Sequence, residues 1–222
     1  MDIVIKRLNN INNGFLDISY LDLTELPDSP LWKNVKNLHC YNNRLTRLPN
    51  LPNVQCLFCD NNKLTVLPNL PNIEYLDCHN NQLIYLPDLP KVRELYCYNN
   101  QLTRLPDLPK VKELYCRNNQ LTRLPDLPNI KVLHCNGNQL TILPDLPNLI
   151  DLTCINNLLI YNPNNRKIFN ALFRIISAKK IIRYWQVVVN KRRQERTYQN
   201  INQLSEFDTL PVEIKLYIVN FV

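Results

Sequence analysis

The apolar positions fall on a grid. From Val35 onward, Val or Ile, then Leu, Cys, Leu, Leu and Leu recur at fixed offsets every nineteen residues. The stretch Val35 to Asn53 reads VKNLHCYNNRLTRLPNLPN, and it restarts at Val54, Ile73, Val92, Val111, Ile130 and Leu149. A divergent copy, LDISYLDLTELPDSP, precedes them at Leu16, with Ile18 at the Cys position and three extra residues at its end. The seventh regular copy decays after Leu159, where Asn162 and Pro163 stand in for Leu-Pro. A repeat this short cannot close a core alone, but stacked copies cover one another.

Each column has a physical task. Leucines at 38, 57, 76, 95, 114, 133 and 152 form one inward ladder, and those at 45, 64, 83, 102, 121, 140 and 159 form a second. Burying each is worth roughly 1.5–3 kcal/mol once a neighbouring coil covers it. The L-x-C stretch predicts a short strand with Leu and Cys inward and the intervening residue outward. It pairs in parallel with the next coil. The Asn column (43, 62, 81, 100, 119, 138, 157) ends the strand, and its amides serve backbone groups left unpaired at the turn. Fourteen of the sixteen prolines form seven Pro-x-x-Pro pairs in the return limb, which excludes α-helix and predicts an extended, polyproline-like path.

The L-x-x-L-x-C-x-x-N-x-L motif resembles the leucine-rich repeat, with Cys at a usual Leu site. The LPxLP limb resembles the short subclass found in bacterial effector proteins that act inside host cells. The resemblance covers residues 16–162. It implies an α/β-type repeat solenoid, a horseshoe with short parallel strands on the concave side and proline-rich limbs on the convex side. It also implies binding of another macromolecule on the concave face. An abundance of Asn (34 residues), with two Ala and two Gly, resembles AT-rich coding. In this the chain is similar to leucine-rich repeat proteins of large DNA viruses of amoebae, which would make the partner a host protein.

On that face the residue between Leu and Cys is His39, Phe58, Asp77, Tyr96, Tyr115, His134 or Thr153. The residue after Cys is Tyr41, Asp60, His79, Tyr98, Arg117, Asn136 or Ile155, and Tyr75, Glu94 and Glu113 flank them. Aromatics and Arg are favoured at binding hot spots. The expected contact set is His39, Tyr41, Phe58, Asp77, His79, Tyr96, Tyr98, Tyr115, Arg117 and His134. The same residues also suit a solvated strand surface, because aromatics pack well across strands. His39, Asp60, Asp77 and His79 spread over three coils, so no metal site is assigned. Seven of the eight cysteines sit in the inward column as small apolar fillers. Cys56 falls outward and is the one thiol expected to react.

Charge divides the chain further. The net charge is +7. Residues 1–162 are neutral, 163–196 carry +9, and 197–222 carry −2. We divide the chain into an N-terminal cap at 1–15, the solenoid at 16–162, a basic amphipathic helical cap at 163–196, and a C-terminal helix at 197–222. The basic segment resembles a calmodulin-binding IQ motif from Ile181 to Lys191, with several signature positions replaced. Calmodulin is thus one expected partner; nucleic acid is not the preferred one, although a basic helix can meet it. At the end, Leu210, Pro211, Glu213, Ile214 and Ile218 match the opening helix of an F-box. That resemblance implies docking to a Skp-type ubiquitin-ligase adaptor.

Enzyme chemistry has little to stand on. Gly14 and Gly137 build no phosphate loop, and no cofactor is implied. No Cys follows Cys154 and no His follows His134, so the cysteine ligase domain carried by related bacterial proteins has no counterpart. No run approaches the roughly 20 apolar residues of a membrane span. The N-terminus lacks a secretory h-region, so a cytoplasmic protein is expected.

Overall fold

The structure, a computed structural model, describes residues 2–158. The expected helices at 163–196 and 197–222, with the IQ-like and F-box-like motifs, lie outside the described residues.

Eight three-residue strands form one sheet in chain order, each pairing in parallel with the next. They are β1 (Phe15–Asp17), β2 (Asn37–His39), β3 (Cys56–Phe58), β4 (Tyr75–Asp77), β5 (Glu94–Tyr96), β6 (Glu113–Tyr115), β7 (Val132–His134) and β8 (Asp151–Thr153). Leu38, Leu57, Leu76, Leu95, Leu114, Leu133 and Leu152 are all in register. This is the parallel-strand solenoid that the nineteen-residue grid demands. The strands begin one residue earlier than L-x-C: each is x-L-x, and Cys follows it from β2 to β8, with Ile18 in its place after β1. The ladder nonetheless runs on through the cysteine, since the Cys40 N–H donates to Phe58 O at 2.8 Å and the Cys59 N–H to Asp77 O at 2.8 Å. The first strand opens at Phe15, inside the segment assigned to the N-terminal cap.

Among the described residues, the return limbs of the regular copies hold no helix or strand. Their buried residues recur every third position: Leu45, Leu48, Leu51, Val54. Three per turn is the period of a polyproline helix, so one limb face stays inward throughout. The limb leucines form two further buried ladders beside the two read from the sequence. The cysteine column is buried from Cys40 to Cys154. Burial pushes the Cys40, Cys59, Cys78, Cys97, Cys116 and Cys135 thiols well up from their ordinary range.

The Asn column does the work expected of it. Asn81 Nδ2 donates to Cys59 O (3.0 Å), Cys78 O (3.2 Å) and His79 O (3.2 Å), while its Oδ1 accepts from the Leu64 N–H (2.9 Å). One side chain thereby ties its own coil to the one before it. The position just before it is also structural. Asn42, Asn61, Asn80, Asn99, Asn118 and Asn156 have positive φ near 50°, and Gly137 fills the same column at φ 65°. Asn and Gly are the residues that tolerate this left-handed backbone. The exposed amides chain together, Asn80 to Asn61 (2.7 Å), Asn99 to Asn80 (2.6 Å) and Asn118 to Asn99 (2.8 Å).

At the N-terminal end, helix α1 (Asp2–Asn9) buries Val4 and Leu8. A 3-10 turn at Pro30–Asn34 is capped by Ser29, whose hydroxyl accepts from the Leu31 N–H. It absorbs the three extra residues of the divergent copy and buries Trp32, whose indole N–H donates to Pro27 O at 2.9 Å.

Candidate functional site: the concave strand face

Because strand side chains alternate, the residues on either side of each buried Leu stand together on the outer face of the sheet. With coils about 4.8 Å apart, rings in one column come into contact. The result is an unbroken row of rings. Phe15 meets His39 (5.0 Å), His39 meets Phe58 (4.5 Å) and Phe58 meets Tyr75 (4.7 Å). Tyr75 then meets Tyr96 (5.5 Å), Tyr96 stacks on Tyr115 (4.5 Å, 6°), and Tyr115 meets His134 (4.7 Å). The sequence reading placed Tyr75 as a flank. In fact it bridges the gap that Asp77 leaves in its column, and an aromatic at an outward strand position beside an interrupting Asp was the available signal. Phe15, in the first strand, was missed for the same reason.

A second row runs alongside. Tyr20 meets Tyr41 (5.2 Å), His79 stacks on Tyr98 (4.2 Å, 16°), and the Arg117 guanidinium lies 4.3 Å over the Tyr98 ring. All ten expected contact residues therefore stand on this face, each half-buried.

Charged groups sit between the rings. His79 Nδ1 lies 2.6 Å from Asp77 Oδ1, and His79 Nε2 lies 3.8 Å from Asp60 Oδ2. The sequence reading spread His39, Asp60, Asp77 and His79 too widely. One ligand atom from each of Asp60, Asp77 and His79 falls within 4.8 Å of the others. His39 stays apart, against Phe15, Tyr41 and Phe58. Burial, then the Asp77 carboxylate, raises the Asp60 pKa, against a lowering pull from His79. Further along, His134 Nε2 lies 3.0 Å from Asp151 Oδ2.

Burial and surrounding carboxylates also raise the phenols of this face. Tyr75 and Tyr115 are raised, and Tyr96 is pushed up to about 12. They remain neutral O–H donors at neutral pH. Cys56 does stand outward, half-buried at the start of β3, but burial and Glu94 raise its thiol. Exposure alone therefore overstated its readiness to form a thiolate. Among the described residues, no helix is long and apolar enough to cross a membrane.

Comparison with known proteins agrees with this architecture. Residues 90–129 match the family model for leucine-rich repeats in two copies. Among solved structures, the chain is similar to YopM, a leucine-rich effector protein from Yersinia pestis. That match has 35% identity and a TM-score of 0.64, covering 71% of this chain and 48% of YopM. It is similar to YopM from Yersinia enterocolitica at 35% identity and TM-score 0.59, covering 67% of this chain and 39% of that one. The leucine-rich repeat domain of a Shigella effector is 31% identical with TM-score 0.63, and 79% of this chain covers 83% of that domain. The chain thus spans half or less of the length of the two Yersinia proteins. No curated protein matches it.

Proposed function

The chain belongs to the leucine-rich repeat family, and on that premise we propose that it is a non-enzymatic binding protein that holds a protein partner on its concave strand face. The observation that carries this reading is the continuous row of rings from Phe15, which is exposed, through the half-buried rings from His39 to His134. Preordered aromatic side chains lose little entropy on contact and offer a large area, which is what a binding anchor needs. The effectors to which the chain is similar suggest that the partner is a host protein met in the cytoplasm.

Replacing Tyr96, Tyr98 and Tyr115 together with Ala removes the centre of both rows while leaving every inward Leu, Cys and Asn in place. The expected outcome is loss of partner capture with the melting transition still cooperative. Capture identical to that of the native chain, measured by affinity purification with mass spectrometry, would refute the reading.

A further inference from the structure

The repeat supplies its own reference for the return limbs. Three regular copies open the limb with Thr46-Arg47, Thr103-Arg104 and Thr122-Arg123. Two adjacent copies between the first and second of these read Thr65-Val66 and Ile84-Tyr85 instead. Packing does not ask for the change, because the flanking leucines, Leu64 and Leu67 in one coil and Leu83 and Leu86 in the next, are buried as in the other regular coils. The altered side chains stand outside that core: Val66 is 37% exposed, Ile84 52% and Tyr85 49%. Among the described residues between the first and last coils, Ile142 is the other large apolar side chain so exposed, and the coils of Arg104 and Arg123 separate it from this group. Single exposed apolar residues are ordinary, whereas a contiguous set on neighbouring coils marks a contact surface.

The patch has a charged border along the stack. Arg47 precedes Val66 in the column and Arg104 follows Tyr85, both exposed. The arginine ion pairs among the described residues are those of Arg44 with Asp22 and of Arg93 with Glu74, so Arg47 and Arg104 keep their charges for another partner. The coils are held at a regular step here. The N–H groups of Lys63, Gln82 and Gln101 donate to Leu45 O, Leu64 O and Leu83 O, each at 2.9 Å, just before the column begins. The order along the stack is therefore cation, apolar, apolar, cation, one coil apart.

We infer that Arg47, Val66, Ile84, Tyr85 and Arg104 form a second docking surface, separate from the strand face, for an acidic amphipathic α-helix of a partner protein laid along the stack. The border of free guanidiniums calls for carboxylates, which a guanidinium fork can grip with two bonds. The spacing calls for a helix. Three coil steps of about 4.8 Å span roughly 14 Å. Ten residues of α-helix rise about 15 Å, and positions i, i+3, i+7 and i+10 share one face. An acid at i and i+10 then meets the two arginines, with apolar residues at i+3 and i+7 over Val66, Ile84 and Tyr85. An anionic membrane fits less well. Exposed Asp88, Asp107, Asp126 and Asp145 form a column on the same limbs and repel a broad negative surface, whereas a helix presents its acids only to Arg47 and Arg104.

The test uses the full chain and a fluorescein-labelled Ala/Gln peptide of about 18 residues. It carries Glu at i and i+10 and Leu at i+3 and i+7, and binding is followed by fluorescence anisotropy. It should bind at least about tenfold more tightly than the peptide with Lys in place of Glu. Val66→Ser, Ile84→Thr and Tyr85→Ser together should weaken binding about tenfold. Arg47→Gln with Arg104→Gln should weaken it about fivefold or more. All five positions are exposed, so both variants should melt as the native chain does. Lys112→Gln with Lys131→Gln removes the same charge from exposed positions preceding β6 and β7 and should leave binding unchanged. Equal weakening by the arginine and lysine variants, or no weakening by the apolar one, overturns the inference. So does loss of peptide binding in the triple tyrosine variant, which would move the peptide to the strand face. Two further outcomes overturn it by giving the patch another occupant. One is a native chain that is dimeric by light scattering and made monomeric by the apolar variant. The other is tighter binding to phosphatidylserine vesicles than to the peptide.

Discussion

The inward and outward columns of this solenoid obey different rules. Inside, the seven regular copies repeat one another nearly letter for letter: Leu at the strand centre, Cys two residues later, and Asn at the turn. Outside, at positions one residue away, no two neighbouring copies offer the same chemistry over both columns. The inner residues must fit identical neighbours above and below, so the packing requirement is the same in every coil. The outer residues meet solvent and one another, and the fold tolerates His, Phe, Asp or Tyr there equally. Freedom from the packing requirement leaves that face available for the binding role proposed for it.

The sharpest way to break this contrast is a pair of adjacent substitutions in β5. Leu95 is fully buried. Leu95→Ala should destabilise by about 3 kcal/mol through lost burial and the cavity left between coils. Tyr96→Ala, one residue on, should cost about 1 kcal/mol from its ring contacts. Urea denaturation reads both. A Tyr96→Ala variant as unstable as Leu95→Ala would show that the outer face is structural after all, and that its aromatics need no partner to explain them.

A second pair sharpens the contrast within one turn. Asn81→Ala deletes three donated bonds and one accepted bond in a buried setting, and should cost about 2–3 kcal/mol. Asn80→Ala removes an exposed amide at φ 51° and should cost about 1 kcal/mol, mainly from backbone strain. Asn80→Gly should be nearly neutral if strain is the cause, and as harmful as Ala if the amide ladder is. The natural Gly137 in the same column favours the first outcome.

Much of this was legible in the sequence because the repeat samples each environment seven times. The nineteen-residue period, the Leu ladders and the bonding role of Asn43 and its equivalents all follow from which letters recur. What escaped has physical reasons. The strand sits one residue early because the Cys N–H extends the ladder after strand geometry ends, which no column pattern separates. The left-handed position hid in the Asn-Asn doublet, where both residues read as turn formers; Gly137 alone marked it. The Asp60, Asp77 and His79 group was missed by counting coils rather than measuring the short step between them. Asp60 and His79 occupy the same column of neighbouring coils, and Asp77 shares a strand face with His79.

That group supplies the smallest effect. Asp60 is 8% exposed and its pKa is raised, by burial first and then by Asp77. The folded chain therefore holds the Asp60 proton to higher pH than the unfolded chain does. Between the two pKa values the folded state binds more protons, so this group's contribution to stability falls as pH rises upward from the ordinary 3.8. The cost grows with pH until the folded carboxyl has itself ionised. Asp60→Asn removes the charge yet keeps an oxygen to accept from Asn61 Nδ2, which now donates to Asp60 Oδ2 at 2.7 Å. The variant should melt about 2 °C higher than the native chain at pH 7. The gain should vanish below pH 4, where the native carboxyl is itself protonated. Were the variant to melt lower at pH 7, attraction between Asp60 and His79 would outweigh the burial and repulsion that Asp60 bears. This part of the outer face would then be held together by its own charges rather than left open for a partner.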